Sequence, residues 1–300
     1  MNIVQLSHYI LPAKKYGGTE RIIYWLSRAL KKLGHTVYLI APKGTVVDGV
    51  EVISYKGKLK DNLQVIPANA DIVHIHYTPD FSIPKPFVVT IHGNKKEGEK
   101  FLPNTVFLSK NHAMRHNSDF YVYNGLDPEE YIYNEHKENY FLFLSKTSRR
   151  EKGLDTAIRI AKKMNINLKI AGGYGFSFRK NIKYYGEVGG RVKAELIAGA
   201  KALLFPIRWE EPFGLVLIEA LVSGTPVIAT KMGAVPEIVT PDVGFLCDTE
   251  DELVKAVENI NSIKPAACRD RVMHHFTDVI MAKNYLKYYQ IFKEKFLFYE

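Results

Sequence analysis

The sequence predicts an α/β protein made of two Rossmann-like, doubly wound domains that face each other across a cleft. Two observations carry this prediction. Short apolar runs of strand length alternate with segments of helical spacing, and the alternation begins again at Tyr140 after a polar stretch. A length of 300 residues with 46% hydrophobic side chains is enough for two full cores, and no apolar run reaches the roughly 20 residues that a membrane-spanning helix needs.

The first domain begins with a β-α-β unit. Residues 2–7 form an apolar run typical of a buried strand, and residues 19–33 carry apolar side chains at helical spacing up to Gly34, a common residue at helix ends. Residues 36–41 supply the next strand, so the unit predicts a parallel sheet covered by helices. Further strands are predicted in this half at 50–55, 71–77, 86–92, 105–109 and 120–123.

The second domain repeats this alternation. The polar stretch 129–138 is interpreted as a linker, so the predicted domains are 1–137 and 138–277, followed by a helical tail at 278–300. Thr249 opens one helix with the pattern of a capping box. Strands are predicted at 141–145, 168–171, 182–185, 202–206, 226–230 and 244–247, and helices at 154–164, 192–200, 215–223 and 250–260.

The segment with the most specific chemistry contains two carboxylates, Glu211 and Glu219, eight residues apart. A helix that begins near Gly214 points the N–H groups of Gly214, Leu215 and Val216 outwards, where the helix dipole favours an anion. The segment therefore offers a phosphate seat flanked by two acceptors for hydroxyl groups, which is the set that a nucleotide sugar needs. The alternative is an ordinary loop between a surface glutamate and a helical one.

Two further motifs follow predicted strands. A basic loop carries Lys146, Arg149, Arg150 and Lys152 after the first strand of the second half, and it is either a diphosphate site or a solvated surface. Gly17 and Gly18, after strand 2–7, allow a ligand to approach the backbone, although a tight turn also needs glycine. This pair is neither a GxGxxG fingerprint nor a P-loop.

Histidines mark the ends of two strands in the first half. His92 stands where ligands of parallel sheets bind, and the alternative is a histidine hydrogen-bonded to the backbone. His74 and His76 point to one face of a strand, so a metal pair is conceivable. No third ligand has a recognisable spacing, and a structural role is favoured. We therefore expect no metal.

The segment Glu211-x7-Glu219, with Glu-Pro-Phe-Gly-Leu-Val at its start and Gly-Thr-Pro-Val-Ile-Ala at 224–229, resembles the signature of family 4 (group 1) glycosyltransferases. These are retaining enzymes with the GT-B fold. The resemblance covers most of the chain and is best from Phe141 to Cys247. It implies transfer of a hexose from a nucleotide diphosphate sugar, with UDP favoured over GDP, to a glycan, lipid-linked or small-molecule acceptor. It also implies no metal or other cofactor, an acceptor-side first domain, a donor-binding second domain and a tail helix that crosses back to the first domain.

The resemblance implies roles for single residues. Glu219 binds the ribose hydroxyls and Glu211 the hydroxyls of the transferred sugar, while His92 contacts that sugar near the reacting centre. Lys146 and Lys152 clamp the diphosphate, and Arg149 or Arg150 could take the place of Lys146. The backbone lines the donor at Gly17, Gly18, Gly186, Phe213, Gly214, Leu215 and Val216.

The sequence departs from the family pattern at one place. Ser145-Lys146 stands where relatives have Gly-Arg, so lysine supplies the charge without the bidentate fork of arginine. This departure supports an alternative function, a degenerate and non-catalytic sugar-nucleotide binding protein. A second alternative is a nucleotide-sugar 2-epimerase of related GT-B architecture, although the acid and base residues for elimination are not evident.

Composition limits the partners and the compartment. The formal charge of +9 favours polyanionic partners, which include nucleotides and an anionic membrane surface. No nucleic-acid motif is present, so nucleic acid is not expected. Basic residues with aromatic ones indicate either peripheral contact with a membrane or a solvated surface. Two cysteines and the lack of a signal-peptide pattern predict a cytoplasmic protein.

Overall fold

The computed structural model describes residues 1–13, 17–94 and 98–297, with side chains to 295. The chain forms two compact units. The first contains Met1–Ala13, Gly17–Leu126 and the segment that starts at Thr277, and the second contains Asp127–Phe276. The stretch interpreted as a linker, 129–138, lies within the second unit. The end of the predicted tail, 298–300, lies outside the described residues.

A six-stranded parallel sheet organises the first unit, in the order β3-β2-β1-β4-β5-β6. The central strand β1 pairs with β2 on one side and β4 on the other, with Val4 opposite Tyr38 and Val73. Its strands are β1 (Asn2–Leu6), β2 (Thr36–Pro42), β3 (Glu51–Tyr55), β4 (Ile72–Ile75), β5 (Phe87–Thr90) and β6 (Thr105–Val106). Helix α1 (Gly18–Lys32) joins β1 to β2, a 3-10 helix (Leu59–Val65) precedes β4, and the short α2 (Lys110–Met114) follows β6.

The strand predicted at 120–123 is wrong. Tyr121 makes only an isolated bridge with Phe107, beyond the two-residue edge strand β6. The aromatic pattern has another cause, since the ring of Phe120 packs edge-on against Phe292 of the C-terminal helix, with centroids 5.4 Å apart. The spacing of apolar residues at 120–123 resembles that of a strand, but it arises from packing against a helix.

A second six-stranded parallel sheet, β12-β11-β10-β7-β8-β9, organises the second unit. Its strands are β7 (Phe141–Leu144), β8 (Leu168–Ala171), β9 (Ile182–Tyr184), β10 (Ala202–Phe205), β11 (Val227–Thr230) and β12 (Gly244–Cys247). Its α-helices are α3 (Leu154–Lys163), α4 (Gly190–Gly199), α5 (Leu215–Val222), α6 (Val235–Ile238), α7 (Glu250–Asn259) and α8 (Pro265–His275). Thr249 is the N-cap of α7 as predicted, because its Oγ1 accepts a hydrogen bond from Glu252 N at 3.2 Å, while the Glu252 carboxylate accepts from Asp248 N at 2.7 Å.

Helix α9 (Asp278–Leu297) returns the chain to the first unit. It packs against α1 and β5, and its buried face carries Tyr285 and Tyr289. The return is tied by Asp278 N, which donates to the carbonyl of Leu126 at 2.8 Å. Among the described residues, no helix is long and apolar enough to cross a membrane.

Both sheets reverse their strand order between two central strands, β1 and β4 in the first unit and β10 and β7 in the second. In open parallel sheets, ligands bind beyond the carboxyl ends of the strands at such a reversal. The prediction of two Rossmann-like, doubly wound units is confirmed, and the fold directs attention to the loops that follow these four strands.

Candidate functional site

Two loops meet at the strand reversal of the second unit. The loop after β7 contains a 3-10 turn, Arg150–Lys152, and the loop after β10 leads to Glu211. Arg208 N donates to the carbonyl of Glu151 at 2.8 Å and joins the loops. Gly153 has φ 77°, and a Cβ atom there would collide with the carbonyl of Pro206. Only glycine allows this approach, which brings the end of the 3-10 turn beside the loop of Glu211.

Lys152, Trp209 and Glu211 form one polar cluster in these loops. Lys152 Nζ lies 2.7 Å from Glu211 Oε2, and the indole N–H of Trp209 donates to the same oxygen at 2.8 Å. The ammonium also lies 4.2 Å from the centroid of the Trp209 ring, a cation–π contact. Only 12% of the Lys152 side chain and 11% of the Glu211 side chain are exposed. The carboxylate is thus held by a cation and a hydrogen bond in a shielded setting, where such contacts are stronger than at the surface.

The backbone of Glu211 is held as firmly as its side chain. Ala234 N donates to the carbonyl of Glu211 at 2.9 Å. A Cβ atom on Gly233 would collide with the backbone of Glu211, so the loop after β11 packs directly on it. Glu211 therefore has a fixed position before any ligand binds.

Glu219 lies in α5 and is only 2% exposed. Lys193 Nζ, from α4, lies 2.6 Å from its Oε1, and the hydroxyl of Tyr131 donates to the same oxygen at 2.7 Å. An ionised carboxylate at this depth is costly unless it has such partners. Glu219 is consequently part of the internal structure of the unit as well as a candidate binding group.

The N-terminus of α5 lies between the two glutamates in sequence. Gly214 is its N-cap, without a side-chain cap, and Leu215 and Val216 of its first turn are half-buried. N–H groups of a first turn have no acceptor inside the helix and carry the positive end of its dipole. Phe213 is buried and packs against Phe276 at 6.0 Å between centroids, so its side chain belongs to the core.

The other predicted donor residues of this unit lie on neighbouring loops. Lys146 is half-buried just after β7, and Arg150 is exposed in the 3-10 turn. Arg149 is exposed and pairs with Glu151 at 3.3 Å. Gly186 follows β9, and its carbonyl accepts a hydrogen bond from Gly172 N at 2.8 Å. The carboxyl ends of β7, β9 and β10 thus present the predicted donor residues along one edge of the sheet.

The predicted residues of the first unit are His92, Gly17 and Gly18. His92 is half-buried two residues after β5, and its Nε2 lies 3.0 Å from Nδ1 of His76. Burial lowers the pKa of His92 to about 3, with a smaller contribution from His8. The ring is neutral near pH 7. Gly17 is the N-cap of α1, where a Cβ atom would lie 2.8 Å from the Cβ of Ala13, and Gly18 begins the helix in open space.

His74 makes hydrogen bonds through both ring nitrogens, to Tyr289 at 2.8 Å and to Thr90 at 2.7 Å. These contacts agree with a structural role for the strand histidines. Within the described parts of the chain, no group of three or more His, Cys, Asp or Glu side chains could hold a metal ion.

Sequence reasoning missed three side chains of this site. Trp209 stands two residues before Glu211, so its indole was within reach of a pattern argument. Lys193 and Tyr131 gave no signal, because they lie 26 and 88 residues from their partner Glu219. Tyr131 belongs to the stretch 129–138, which was interpreted as a linker because of its polar composition.

Solved structures share this fold. The glycosyltransferase AviGT4, involved in avilamycin A biosynthesis, is similar with a TM-score of 0.82 and 23% identity, over 98% of this chain and 99% of that one. HepE of Anabaena, solved with UDP-glucose, has a TM-score of 0.72 and 15% identity, over 96% and 98% of the two chains. Two parallel six-stranded sheets with these neighbours define the protein as one of the GT-B fold class.

The sequence comparisons agree with this fold class. Residues 129–270 match the family described as glycosyl transferases group 1. A 41.2 kDa protein from the cps region of Klebsiella pneumoniae is 33% identical over 120 residues, which are 37% of this chain and 33% of that protein. The chain matches less than half of the length of its curated relatives.

Proposed function

We propose that the protein is a retaining glycosyltransferase that moves a hexose from a nucleotide diphosphate sugar to an acceptor without a metal ion. The observation that carries this proposal is the shielded cluster of Lys152, Trp209 and Glu211 at a strand reversal of a group 1 unit. A cation, a fixed carboxylate and a helix N-terminus in adjoining segments match a diphosphate bound to a sugar.

Lys152 has two partners in this proposal. Its ammonium holds Glu211 in place. Together with the N–H groups in the first turn of α5, it would bind the diphosphate. The acceptor oxygen bonds to the anomeric carbon as the bond from that carbon to the diphosphate oxygen breaks, on the same face of the sugar. The departing diphosphate takes the acceptor proton. Charge grows on the diphosphate during this step, so a fixed cation stabilises the transition state more than the ground state.

The two glutamates and His92 would orient the donor. Glu211 accepts hydrogen bonds from hydroxyls of the hexose, and Glu219 accepts them from the ribose. The backbone near Gly186 would line the base. Uridine is our favoured base, since the structural neighbour HepE was solved with UDP-glucose. Lys146 and Arg150 would add positive charge beside the diphosphate, in place of the arginine of relatives.

The first unit would hold the acceptor, which we propose is a glycan, a lipid-linked molecule or a small molecule. Peripheral contact with a membrane is supported by the loop after β8. Tyr174, Phe176 and Phe178 are 84%, 76% and 95% exposed, and Arg179 and Lys180 follow them directly. Aromatic rings with adjacent cations are typical of membrane interfaces. We propose that the protein acts in the cytoplasm.

Vesicle sedimentation tests this contact. Vesicles with phosphatidylglycerol should sediment the protein more than vesicles of phosphatidylcholine alone, and replacing Phe176 and Phe178 by serine should abolish the difference. Equal sedimentation of both proteins would remove the loop as a membrane contact.

Calorimetric titration with UDP and GDP in EDTA tests the donor site. We expect UDP to bind the wild type, and Lys152→Ala to weaken it. A donor assay with UDP-glucose and mixed acceptors then separates a transferase from a protein that only binds nucleotides, which Ser145-Lys146 would favour. If neither nucleotide binds, even after addition of Mg²⁺, the proposal is wrong.

A further inference from the structure

A chain of hydrogen-bonded side chains crosses the interior of the first unit from α9 to His92. Its inner members are fully buried, and His76 is only 4% exposed. The contacts join strands β1, β4 and β5 to the last helix. In order, the members are Tyr285, Thr90, His74, Tyr289, Gln5, His76 and His92.

The amide of Gln5 gives this chain a direction. Its Nε2 donates to the hydroxyl oxygen of Tyr289 at 3.2 Å, so its Oε1 faces Nε2 of His76 at 2.7 Å. A carbonyl oxygen only accepts, and His76 must therefore carry its hydrogen on Nε2. Nδ1 of His76 is then an acceptor, and His92 donates to it from Nε2 at 3.0 Å. The remaining nitrogen of His92, Nδ1, holds a lone pair.

The other half of the chain is compatible with this orientation of the Gln5 amide. The oxygen of Tyr289 accepts from Gln5, and its hydroxyl hydrogen goes to Nδ1 of His74 at 2.8 Å. His74 then donates from Nε2 to Thr90 at 2.7 Å, and Thr90 lies 3.0 Å from the hydroxyl of Tyr285. From Gln5 to Tyr285, each hydroxyl and ring nitrogen therefore has a hydrogen-bond role that matches its neighbour.

The histidines of the chain are neutral, so their hydrogen-bond partners decide which ring nitrogen carries the hydrogen. Burial lowers the pKa of His74 and His76 well below the ordinary value, and it lowers that of His92 as well. In a neutral imidazole, one nitrogen donates and the other accepts, and the partner of one decides the role of the other.

We infer that Gln5 and Tyr289 are positioning residues, which act through His76 to hold His92 in the tautomer with hydrogen on Nε2. In this tautomer, Nδ1 of His92 offers a lone pair to a hydroxyl group of the transferred hexose. The inference rests on the proposed function for the role of the hexose, whereas the tautomer itself is independent of it. With the hydrogen on Nδ1, His92 would present a donor and lose this contact.

Nitrogen-15 NMR of the ring nitrogens tests the tautomer in the ligand-free wild type at pH 7. Labelled histidine and a His92→Gln variant for assignment are sufficient. We expect His92 to show a protonated Nε2 and an unprotonated Nδ1, with His76 in the same form. A protonated Nδ1 on His92 would overturn the inference, whatever the activity of the protein.

Tyr289→Phe tests the positioning role, with Tyr288→Phe as the matched control. Both tyrosines lie on α9, but the hydroxyl of Tyr288 accepts a hydrogen bond from Tyr121 N and is not part of the chain. We expect Tyr289→Phe to lower kcat roughly tenfold with an unchanged Kd for UDP, and to give His92 a mixture of tautomers. Tyr288→Phe should change neither.

Gln5→Met provides a second variant if Tyr289→Phe folds poorly, since it keeps the length of the side chain without its amide. It should lower kcat to a similar extent. Unchanged kcat in folded variants with an altered tautomer would contradict the positioning role. A wild type that has the expected tautomer but transfers no sugar would instead contradict the proposed function.

Discussion

The two units have the same strand order but place different chemistry at the strand reversal. In the first unit, neutral imidazoles and hydroxyls lie in the central strands or directly after them, and His92 follows β5. In the second unit, two carboxylates lie in and before α5, each with an ammonium partner. The comparison shows that the scaffold supplies a location, while the loops decide between a neutral and a charged site.

Burial has opposite consequences in the two units. The histidines of the first unit meet no carboxylate within the chain of hydrogen bonds, so desolvation, with a smaller effect of the neighbouring histidines, lowers their pKa and keeps them neutral. The glutamates of the second unit are buried beside Lys152 and Lys193, which makes an ionised carboxylate tolerable. The four predictions below test this difference.

The largest effect is expected from Glu219→Ala in the second unit. The change leaves the Lys193 ammonium buried without its counter-charge, and it should lower the free energy of unfolding by about 3–5 kcal/mol. Urea denaturation followed by Trp209 fluorescence, in a Trp25→Phe background, measures it. The control is Glu250→Ala, because the Arg159–Glu250 pair is exposed and should contribute less than about 1 kcal/mol. Equal losses would contradict the distinction between buried and exposed pairs.

Lys152→Ala should lower the rate of sugar transfer by roughly 10²–10³-fold, because the transition state loses the cation that faces the growing charge. The Kd for UDP should also rise. Lys163→Ala is the control, since this lysine is an exposed member of a surface pair with Asp251 in the same unit. A loss in Lys152→Ala no greater than in the control would exclude Lys152 from the site.

Acid should destabilise the first unit through its buried histidines. The pKa of His92 is about 3 in the folded protein and about 6.5 in the unfolded chain, so only the unfolded chain gains a proton between these values. The stabilising contribution is complete above pH 6.5 and falls as pH drops toward 3. The expected loss is about 1.4 kcal/mol per pH unit for each such histidine.

Urea denaturation at pH 7, 6 and 5 measures this slope. Trp25 lies in the first unit, so a Trp209→Phe background makes its fluorescence specific for that unit. His92→Gln should lower the number of protons taken up on unfolding by about one, and the slope of the unfolding free energy against pH should fall accordingly. His112, whose pKa burial also lowers to about 3, continues to contribute to the slope. Identical slopes with and without His92 would show that this ring is not neutral in the folded state.

The smallest effect is expected from Trp209→Phe. Phenylalanine keeps an aromatic face for the Lys152 ammonium but cannot donate the hydrogen bond to Glu211. We expect a loss of about 1 kcal/mol in transition-state stabilisation, which is roughly fivefold in kcat/KM. Trp209→Leu should lose more, because it removes both contacts. Equal rates for the two variants would exclude the cation–π contact as a contributor.

Much of the fold could be read from local patterns. The strands of both sheets and the helices α1, α3, α5 and α7 follow apolar periods that do not depend on distant residues. The strand at 120–123 failed because the pattern of packing on α9 resembles a strand. Helix α8 was not predicted, because its two buried residues, Cys268 and Val272, are too few to give a recognisable helical pattern of apolar side chains.

The candidate site was also predictable only in part. The sequence by itself predicted the start of α5, and it marked Glu211, Glu219 and Lys152 as candidate residues, because the motifs that carry the resemblance lie within short segments. Only the tertiary structure decided which side chains hold them. Lys193 reaches Glu219 across two helices, and Tyr289 reaches Gln5 over 284 residues of chain. Spacing encodes contacts within one element, whereas the partner of a buried polar group depends on how the elements pack, and a local pattern does not contain that information.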